Sequence, residues 1–390
     1  MARAVAVVLG VTLAGLASAA DAPEKVALTI DASTTGAKLD RNLFGQFAEH
    51  LGKGIEEGVW VGPDSPIPNT RGIRNDVVAA LKALKVPNVR WPGGCFADEY
   101  HWRNGIGKRA VTLNPNWGGV IEPNTFGTHE YMDFLEQIGS RAYLSVNLGS
   151  GTRQEAADWL EYLTAAQPTT LALERATNGR KEPYTIEYLG IGNESWDCGG
   201  NMTPERYVDE LKAYARFTRN YNPAQQKDPN KMLRIAVGPG GGEARWTEWT
   251  EVVMKAWQGR SWSWDMEGLS LHNYTVVKWP PAYLSVGFGE TEYAQILKST
   301  LEMDGLIKKH AAIMDKYDPE KKILLAVDEW GAWYAQLPNT TPGFLAQQNS
   351  LRDAVLAALN INIFARHADR VKMANIAQMV NVLQAMILTD

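Results

Sequence analysis

The sequence has few of the residues that build metal centres or nucleic-acid interfaces. Its 390 residues include 2 cysteines and 6 histidines, and the formal net charge is −5. Two cysteines without a matching histidine cluster make no plausible zinc site. A negative net charge provides no electrostatic attraction for nucleic acid or for an anionic membrane. We therefore expect no bound metal and no nucleic-acid partner.

A phosphate-binding loop is also absent from the position where a nucleotide-binding sheet would carry it. The first predicted strand, residues 43–49, leads to GQFAEHLG, which is not a Gly-rich phosphate loop. The run GPGGGEAR at 238–245 follows the fifth predicted strand and lacks the P-loop lysine. This disfavours a nucleotide-dependent enzyme and an open doubly wound sheet, and 238–245 is predicted to be a barrel loop.

Long apolar runs are missing after residue 20. Residues 1–20 combine Arg3, an apolar run over 4–16 and the small residues Ala-Ser-Ala-Ala, which is the pattern of a signal peptide. The run is short for a membrane span, and an uncleaved anchor is the alternative. We expect cleavage, no membrane contact afterwards, and export to the periplasm or the medium.

What the chain does contain is an alternation of strand-like and helix-like segments, which indicates parallel βαβ units. Residues 21–40 are predicted to hold an N-terminal strand around 26–30, and residues 41–390 an incomplete (β/α)8 TIM barrel. A helix is predicted to begin at Thr203-Pro204, an N-cap followed by proline at the first helical position. The predicted strands are 43–49, 88–91, 141–147, 186–193, 233–238, 267–272 and 323–329. The predicted helices are 74–85, 129–138, 153–166, 204–221, 246–257, 292–317 and 347–368.

Polar residues collect at the carboxyl ends of these strands, where a barrel builds its active site. Glu194 ends the fourth strand and Glu329 the seventh. Two carboxylates across a barrel mouth suit glycoside hydrolysis, in which one group donates a proton and the other attacks the anomeric carbon. A metal site formed with His272 is the competing interpretation, but such a site would require more carboxylates or histidines as ligands.

Six motifs narrow this interpretation: FGQFAEHLG at 44–52, VRWPGGCFADEYHW at 89–102, GIGNESW at 190–196, SLHNY at 270–274, VDEW at 327–330 and DEWGAWY at 328–334. Together they resemble the motifs of glycoside hydrolase family 51, the α-L-arabinofuranosidases, in order and close to the expected spacing. The resemblance extends from about residue 26 to residue 390. It implies a retaining, exo-acting enzyme that needs no cofactor and acts on arabinan, arabinoxylan or arabino-oligosaccharides.

The resemblance also implies roles for individual residues. Glu194 would be the acid/base and Glu329 the nucleophile, and Asn193 would bind the sugar 2-hydroxyl. The other implied pocket residues are Glu49 on the outer hydroxyls, Arg90 beside the nucleophile, His272 and Tyr274 orienting it, Trp117 near the aglycone, and Cys95 as a free thiol. An exported protein could instead pair Cys95 with Cys198, since both follow predicted strands in Gly-rich loops.

The count of strands departs from the family's pattern. Seven βα units are visible, so we expect the chain to stop before the eighth strand, without a pocket polar residue beyond it and without most of a C-terminal β-sandwich. Family members often form hexamers or trimers, so a homo-oligomer is a further expectation, although no surface here can be assigned to it. The alternatives to an arabinofuranosidase are a retaining endo-glucanase, another pentosidase on the same scaffold, or a catalytically impaired carbohydrate-binding fragment.

Overall fold

Eight parallel strands close into a barrel in the computed structural model, which describes residues 33–389. The chain divides into two compact units, Met1–Ala37 and Lys38–Asp390, and the barrel belongs to the second. The predicted signal peptide over 1–20 and the predicted strand around 26–30 lie outside the described residues. Within residues 33–389, no helix is both long and apolar enough to cross a membrane.

The barrel strands follow one another around the barrel in chain order. Strand β1 pairs with both β2 and β8, so that Phe47 lies in register with Arg90 on one side and with Ala377 on the other. Closure removes the free edges that an open sheet would leave. The eight strands are β1 (Gly45–Phe47), β2 (Asn88–Trp91), β3 (Arg141–Val146), β4 (Tyr188–Ile191), β5 (Leu233–Ala236), β6 (Gly268–Thr275), β7 (Leu324–Ala332) and β8 (Val371–Ala377).

Nine helices in the described part of the chain accompany the strands. The predicted helix start at Thr203-Pro204 is confirmed, because the Thr203 hydroxyl accepts a hydrogen bond from the Arg206 amide and Pro204 is the first helical residue. The predicted helix over 292–317 is two helices, and one helix was not predicted. The helices are α1 (Asn75–Leu84), α2 (Thr128–Ile138), α3 (Arg153–Thr164), α4 (Thr170–Thr177, not predicted), α5 (Pro204–Phe217), α6 (Ala244–Gln258), α7 (Glu290–Thr300), α8 (Glu302–Tyr317) and α9 (Leu351–Arg366).

The prediction that the chain stops before the eighth strand is wrong. Strand β8 follows α9 and pairs with β7 and β1, so the barrel is closed within the described residues. The strand escaped prediction because its sequence, VKMANIA, is not a continuous aliphatic run. Asn375 is fully buried there and donates to the Gln46 carbonyl and to Asn88 Oδ1, both at 2.8 Å. The missing C-terminal β-sandwich stays a prediction.

Four hydrophobic clusters in the described part of the chain hold the fold together, and two of them involve the barrel strands most directly. Inside the barrel, one buried cluster joins side chains of five strands. The larger core contains side chains from both the strands and the surrounding helices. Since strand direction is common to all eight, every carboxyl end opens at the same face, and the loops that follow them meet there. The inner cluster consists of Tyr143, Tyr188, Ile235, Ala326 and Met373.

Candidate active site

A cavity of about 610 Å³ opens at the carboxyl ends of the barrel strands. Its volume is in the range of sites that hold small ligands, roughly 300–1,000 Å³. Most of the predicted pocket residues line it, and Arg90 and Asn193 lie buried behind them. The predicted residues on the cavity wall are Glu49, Cys95, Trp117, Glu194, His272, Tyr274 and Glu329.

Glu329, in strand β7, is held by one donor on each carboxylate oxygen. Arg90 Nη1 contacts its Oε1 at 2.7 Å, and the Tyr274 hydroxyl donates to its Oε2 at 2.9 Å. Only about 4% of Glu329 is exposed, and Arg90 is about 2% exposed. An ion pair this deeply buried is fixed in geometry and weakly screened by salt. Glu329 is thus oriented and balanced by a positive charge.

Glu194 lies in the turn that follows strand β4. Its backbone φ of 37° is in the left-handed region, which costs a non-glycine residue about 1–3 kcal/mol and persists only where the surroundings enforce it. Its side chain contacts His272 Nδ1 at 2.9 Å, and its carboxylate lies within 4.8 Å of Glu329. Burial raises the pKa of Glu194, the His272 hydrogen bond acts in the opposite direction, and the negative charge of Glu329 raises that pKa further.

His272 lies among three carboxylates. Its Nδ1 faces Glu194 and Glu329, and its Nε2 lies 3.2 Å from Asp328. Burial alone would lower the pKa of His272, but these acids, Glu329 foremost, raise it to about 10. The imidazole is therefore a cation at neutral pH. Burial also acts to raise the pKa of Asp328, but Arg90 and His272 hold that pKa below its usual value.

Glu49 occupies another part of the cavity. Its Oε1 accepts from the Trp117 indole at 2.9 Å and from two backbone amides, while its Oε2 accepts from Gln378 at 3.0 Å. Burial and the Glu329 charge raise the pKa of Glu49 to about 7, against the effect of these donors. A carboxyl group in this state can accept or donate hydrogen bonds to ligand hydroxyls.

Asn193 contacts Arg90 through its side chain, since Arg90 Nη2 donates to Asn193 Oδ1 at 2.6 Å. Arg90 therefore links Asn193 to Glu329. The prediction that Asn193 binds a sugar hydroxyl stays a prediction.

The prediction that Cys95 is a free thiol is wrong in this structure, because Cys95 and Cys198 form a disulfide. The Cα atoms are 5.5 Å apart, a normal separation for a disulfide. Cys95 follows β2 and Cys198 follows β4, so the carboxyl ends of two strands bring together residues 103 positions apart. Both cysteines line the cavity.

Several cavity residues were not predicted. Gln378 directly follows β8 and corrects the expectation that no polar pocket residue exists beyond that strand; it could be found only once β8 was recognised. Its Oε1 has no hydrogen-bond partner among the described residues. Four tryptophans line much of the rest of the wall, and the sequence offered Trp196 and Trp333 among the loop tryptophans on which sugar rings could stack. They are Trp196, Trp246, Trp279 and Trp333.

Comparison with known proteins identifies one family. Residues 80–275 match the family model of the alpha-L-arabinofuranosidase 1 domain, and residues 328–390 match that of the alpha-L-arabinofuranosidase C-terminal domain. An intracellular exo-alpha-L-arabinofuranosidase of Bacteroides ovatus is 47% identical, over 94% of this chain and 70% of that protein. A probable alpha-L-arabinofuranosidase C of Aspergillus fumigatus is 31% identical, over 94% of this chain and 71% of its own length.

Solved structures agree as well. The crystal structure of the GH51 arabinofuranosidase from Xanthomonas axonopodis pv. citri has a TM-score of 0.87 and 57% identity, covering 92% of this chain and 71% of that one. The arabinose complex of alpha-L-arabinofuranosidase from Thermotoga maritima has a TM-score of 0.75 and 31% identity, covering 91% of this chain and 67% of that one.

One prediction is contradicted by these relatives. We expected an exported protein, but the Bacteroides ovatus relative is named an intracellular enzyme, so the prediction of export is withdrawn. The activity in the names of the relatives agrees with the motifs at the strand ends. With a 47% identical relative covered over 70% of its length and both family models matched, the chain belongs to glycoside hydrolase family 51, the α-L-arabinofuranosidases.

Proposed function

We propose that this chain is a retaining, exo-acting α-L-arabinofuranosidase in which Glu329 is the nucleophile and Glu194 the acid/base. The observation that carries the proposal is the spacing of the two carboxylates, whose nearest oxygens lie within 4.8 Å. Retaining glycosidases hold their carboxyl groups about 5–5.5 Å apart, whereas inverting enzymes need about 6.5–9.5 Å to admit a water molecule between them.

In the first step, Glu329 attacks the anomeric carbon while Glu194 protonates the departing glycosidic oxygen. A covalent arabinosyl-enzyme forms, and the aglycone leaves with the proton. Arg90 and Tyr274 support this role of Glu329, because they fix both carboxylate oxygens and leave the group a single orientation. The cations Arg90 and His272 lie beside Glu329, at 2.7 Å and 3.5 Å from its Oε1.

In the second step, Glu194 takes a proton from water, and that water displaces Glu329 with overall retention. The pKa of Glu194 suits this change of role. It is raised while Glu329 carries its charge, so Glu194 can act as an acid. Once Glu329 is esterified, that charge is gone and the pKa of Glu194 falls, which favours the base.

The wall of the cavity supports terminal sugar binding. Glu49, buried and held by Trp117 and Gln378, offers carboxylate oxygens to the hydroxyls of one arabinose. The Asn193 amide would complete this set at the 2-hydroxyl. Trp333 and Trp279 form an edge-to-face pair at the cavity and offer apolar faces to further sugars. The substrates are arabinan, arabinoxylan or arabino-oligosaccharides with terminal α-L-arabinofuranosyl groups.

The alternative of a metal site uses the same group of Glu194, His272 and Glu329, whose ligand atoms lie within 4.8 Å of one another. His272 is positively charged at neutral pH, with a pKa of about 10, and Arg90 already balances Glu329. A metal ion would have to displace both contacts, so this charge balance supports carboxylate chemistry.

The test is hydrolysis of a 4-nitrophenyl α-L-arabinofuranoside, followed by proton NMR from the first turnover. We expect the α-anomer of L-arabinose to appear first. A soluble β-glucan supplied in parallel should release nothing. Initial formation of the β-anomer would rule out the double displacement, and hydrolysis of the β-glucan alone would identify an endo-glucanase on this scaffold.

A further inference from the structure

We propose that Asp98 is a positioning residue for the acid/base, and that its buried carboxylate fixes the backbone turn that carries Glu194. The inference rests on the proposed role of Glu194. Asp98 lies in a short 3-10 helix, Cys95–Asp98, in the loop after strand β2, and it does not line the cavity.

The carboxylate of Asp98 joins the loops after three strands. Its Oδ2 accepts from the backbone amide of Asn193 at 2.9 Å, directly before Glu194. Its Oδ1 accepts from the amides of Leu148 at 2.6 Å and Gly149 at 2.9 Å, in the loop after β3. The Asp98 carbonyl accepts from Ser150 in the same loop. The position of Asn193 is therefore set by β2 and β3 as well as by its own strand.

A carboxylate is an expensive group to bury. Asp98 is about 1% exposed, and none of the ion pairs found within residues 33–389 includes it. Burial raises the pKa of Asp98 to about 7, and the three backbone N–H donors act in the opposite direction by stabilising the carboxylate. An asparagine could accept the two bonds of Oδ1, but its NH₂ group would meet the N–H of Asn193 as a second donor. The contact with Asn193 is the one that requires an acid here.

Two glycines leave room for this arrangement. A Cβ atom at Gly149 would lie 2.9 Å from the Asp98 Cβ, and one at Gly199 would lie 2.6 Å from Asp98 Oδ2. Gly199 follows Cys198, so both loops that contact the carboxylate carry a small residue at the point of contact. The absence of a side chain at both positions lets the two loops approach the Asp98 carboxylate closely.

The turn that Asp98 holds is the strained one. Glu194 has a φ of 37°, and such a conformation relaxes unless its neighbours enforce it. The Cys95–Cys198 disulfide joins the same two loops at a second point. Between them, the hydrogen bond to Asn193 and the disulfide flank Glu194 on both sides along the chain. Loss of the hydrogen bond should let the turn relax and move the acid/base away from the glycosidic oxygen.

The test compares Asp98→Asn with the parent enzyme on an arabinoside of a poor alcohol leaving group and on a dinitrophenyl arabinoside. Only the first needs protonation. We expect kcat/KM, which reports the first chemical step, to fall about 10- to 100-fold on the poor leaving group and less than about threefold on the activated substrate. Azide should partly restore turnover of the activated substrate wherever the second step has become slow.

Asp318→Asn is the control for loss of a buried acid far from the site, and it also removes the charge that pairs with Arg370. Asp318 is also buried and also accepts from a backbone amide, that of Ile323, but it lies before strand β7, at the opposite end of the barrel. It should lower thermal stability without changing the ratio of the two rates. If Asp98→Asn folds poorly, Gly149→Ala displaces the carboxylate without removing it and should change the ratio in the same direction.

Equal losses on both substrates in Asp98→Asn and Gly149→Ala would overturn the inference and leave Asp98 a purely structural residue. Glu194→Ala in the same assay separates this from failure of the proposed function. If Glu194→Ala shows the leaving-group dependence and the Asp98 and Gly149 variants do not, only the role of Asp98 is wrong. If Glu194→Ala shows none either, the assignment of the acid/base is wrong.

Discussion

Gln378 donates a 3.0 Å hydrogen bond to Glu49, and this contact joins the residue after the last barrel strand to the loop after the first. Strand β8, which closes the barrel, therefore also places a polar side chain in the pocket. The oxygen of the Gln378 amide, Oε1, has no partner among the described residues. A buried acceptor in that state is available to a hydroxyl of the bound sugar.

Gln378→Ala should reduce kcat/KM about 10- to 100-fold, because a hydrogen bond to a charged group contributes about 1.5–3 kcal/mol. The measurement is steady-state kinetics on the nitrophenyl arabinofuranoside. Asn381→Ala is the control: it removes hydrogen bonds to Lys53 and Thr389, outside the cavity. An unchanged kcat/KM in Gln378→Ala would contradict the role of this residue in the pocket.

Glu329→Gln should lower the pKa of Glu194. The negative charge of Glu329 is one of the causes that raise it, and without that charge ionisation of Glu194 becomes easier. The measurement is a carbon-13 NMR titration of the glutamate carboxyl groups, with the Glu194 signal assigned by its loss in Glu194→Gln. Glu210→Gln is the control. Glu210 lies on helix α5 and pairs with Arg153, so its substitution should leave the pKa of Glu194 unchanged. A pKa that rises or stays constant in Glu329→Gln would show that the two acids are not coupled.

His272→Asn should raise the pKa of Glu194, because the imidazole hydrogen bond and positive charge both lower it. Glu194 acts in its protonated form in the first step, so the alkaline limb of kcat/KM should move to higher pH, at a reduced maximum. His129→Asn is the control, since His129 contacts Tyr162 and Tyr184 and does not line the cavity. A limb that moves to lower pH would refute the sign of the coupling.

Reduction of the Cys95–Cys198 disulfide should lower the stability of the protein. The bridge joins residues separated by 103 positions. By restricting the unfolded chain, a loop of that length stabilises the folded protein by about 2–5 kcal/mol. Thiol titration of the denatured, unreduced protein should give no free thiol and, after reduction, two. Cys95→Ser and the double variant Cys95→Ser/Cys198→Ser should melt at the same temperature. Two free thiols in the unreduced, active protein would support the original prediction instead.

Met373→Ala should destabilise the protein by about 2–5 kcal/mol, because Met373 brings strand β8 into the buried cluster inside the barrel. The measurement is chemical denaturation, in which the free energies of unfolding of variant and parent are compared with the same dependence on denaturant concentration. Met386→Ala is the control, since Met386 is 45% exposed. Equal, small effects of the two substitutions would mean that β8 contributes little to closure.

The chemistry of the site could be predicted from the sequence because its residues follow strands at recognisable positions. Glu194 and Glu329 both lie on the cavity wall. Arg90 and Tyr274 each donate a hydrogen bond to the Glu329 carboxylate. Gln378 could not be predicted, because strand β8 lacks the aliphatic run by which buried strands are recognised. The thiol state of Cys95 could not be predicted either, since a resemblance carries over residue types and not the distance to Cys198.

The sequence by itself determined the barrel class, seven of its strands and the positions of Glu194 and Glu329 at the strand ends. Local periodicity and motifs contain that information, because each is a property of neighbouring residues. Only the tertiary structure decided how the barrel closes, that Cys95 meets Cys198, and that Asp98 reaches the amide of Asn193. Each of these contacts joins positions separated by about a hundred residues or more. Such pairs depend on the packing of the whole barrel, and no local pattern records them.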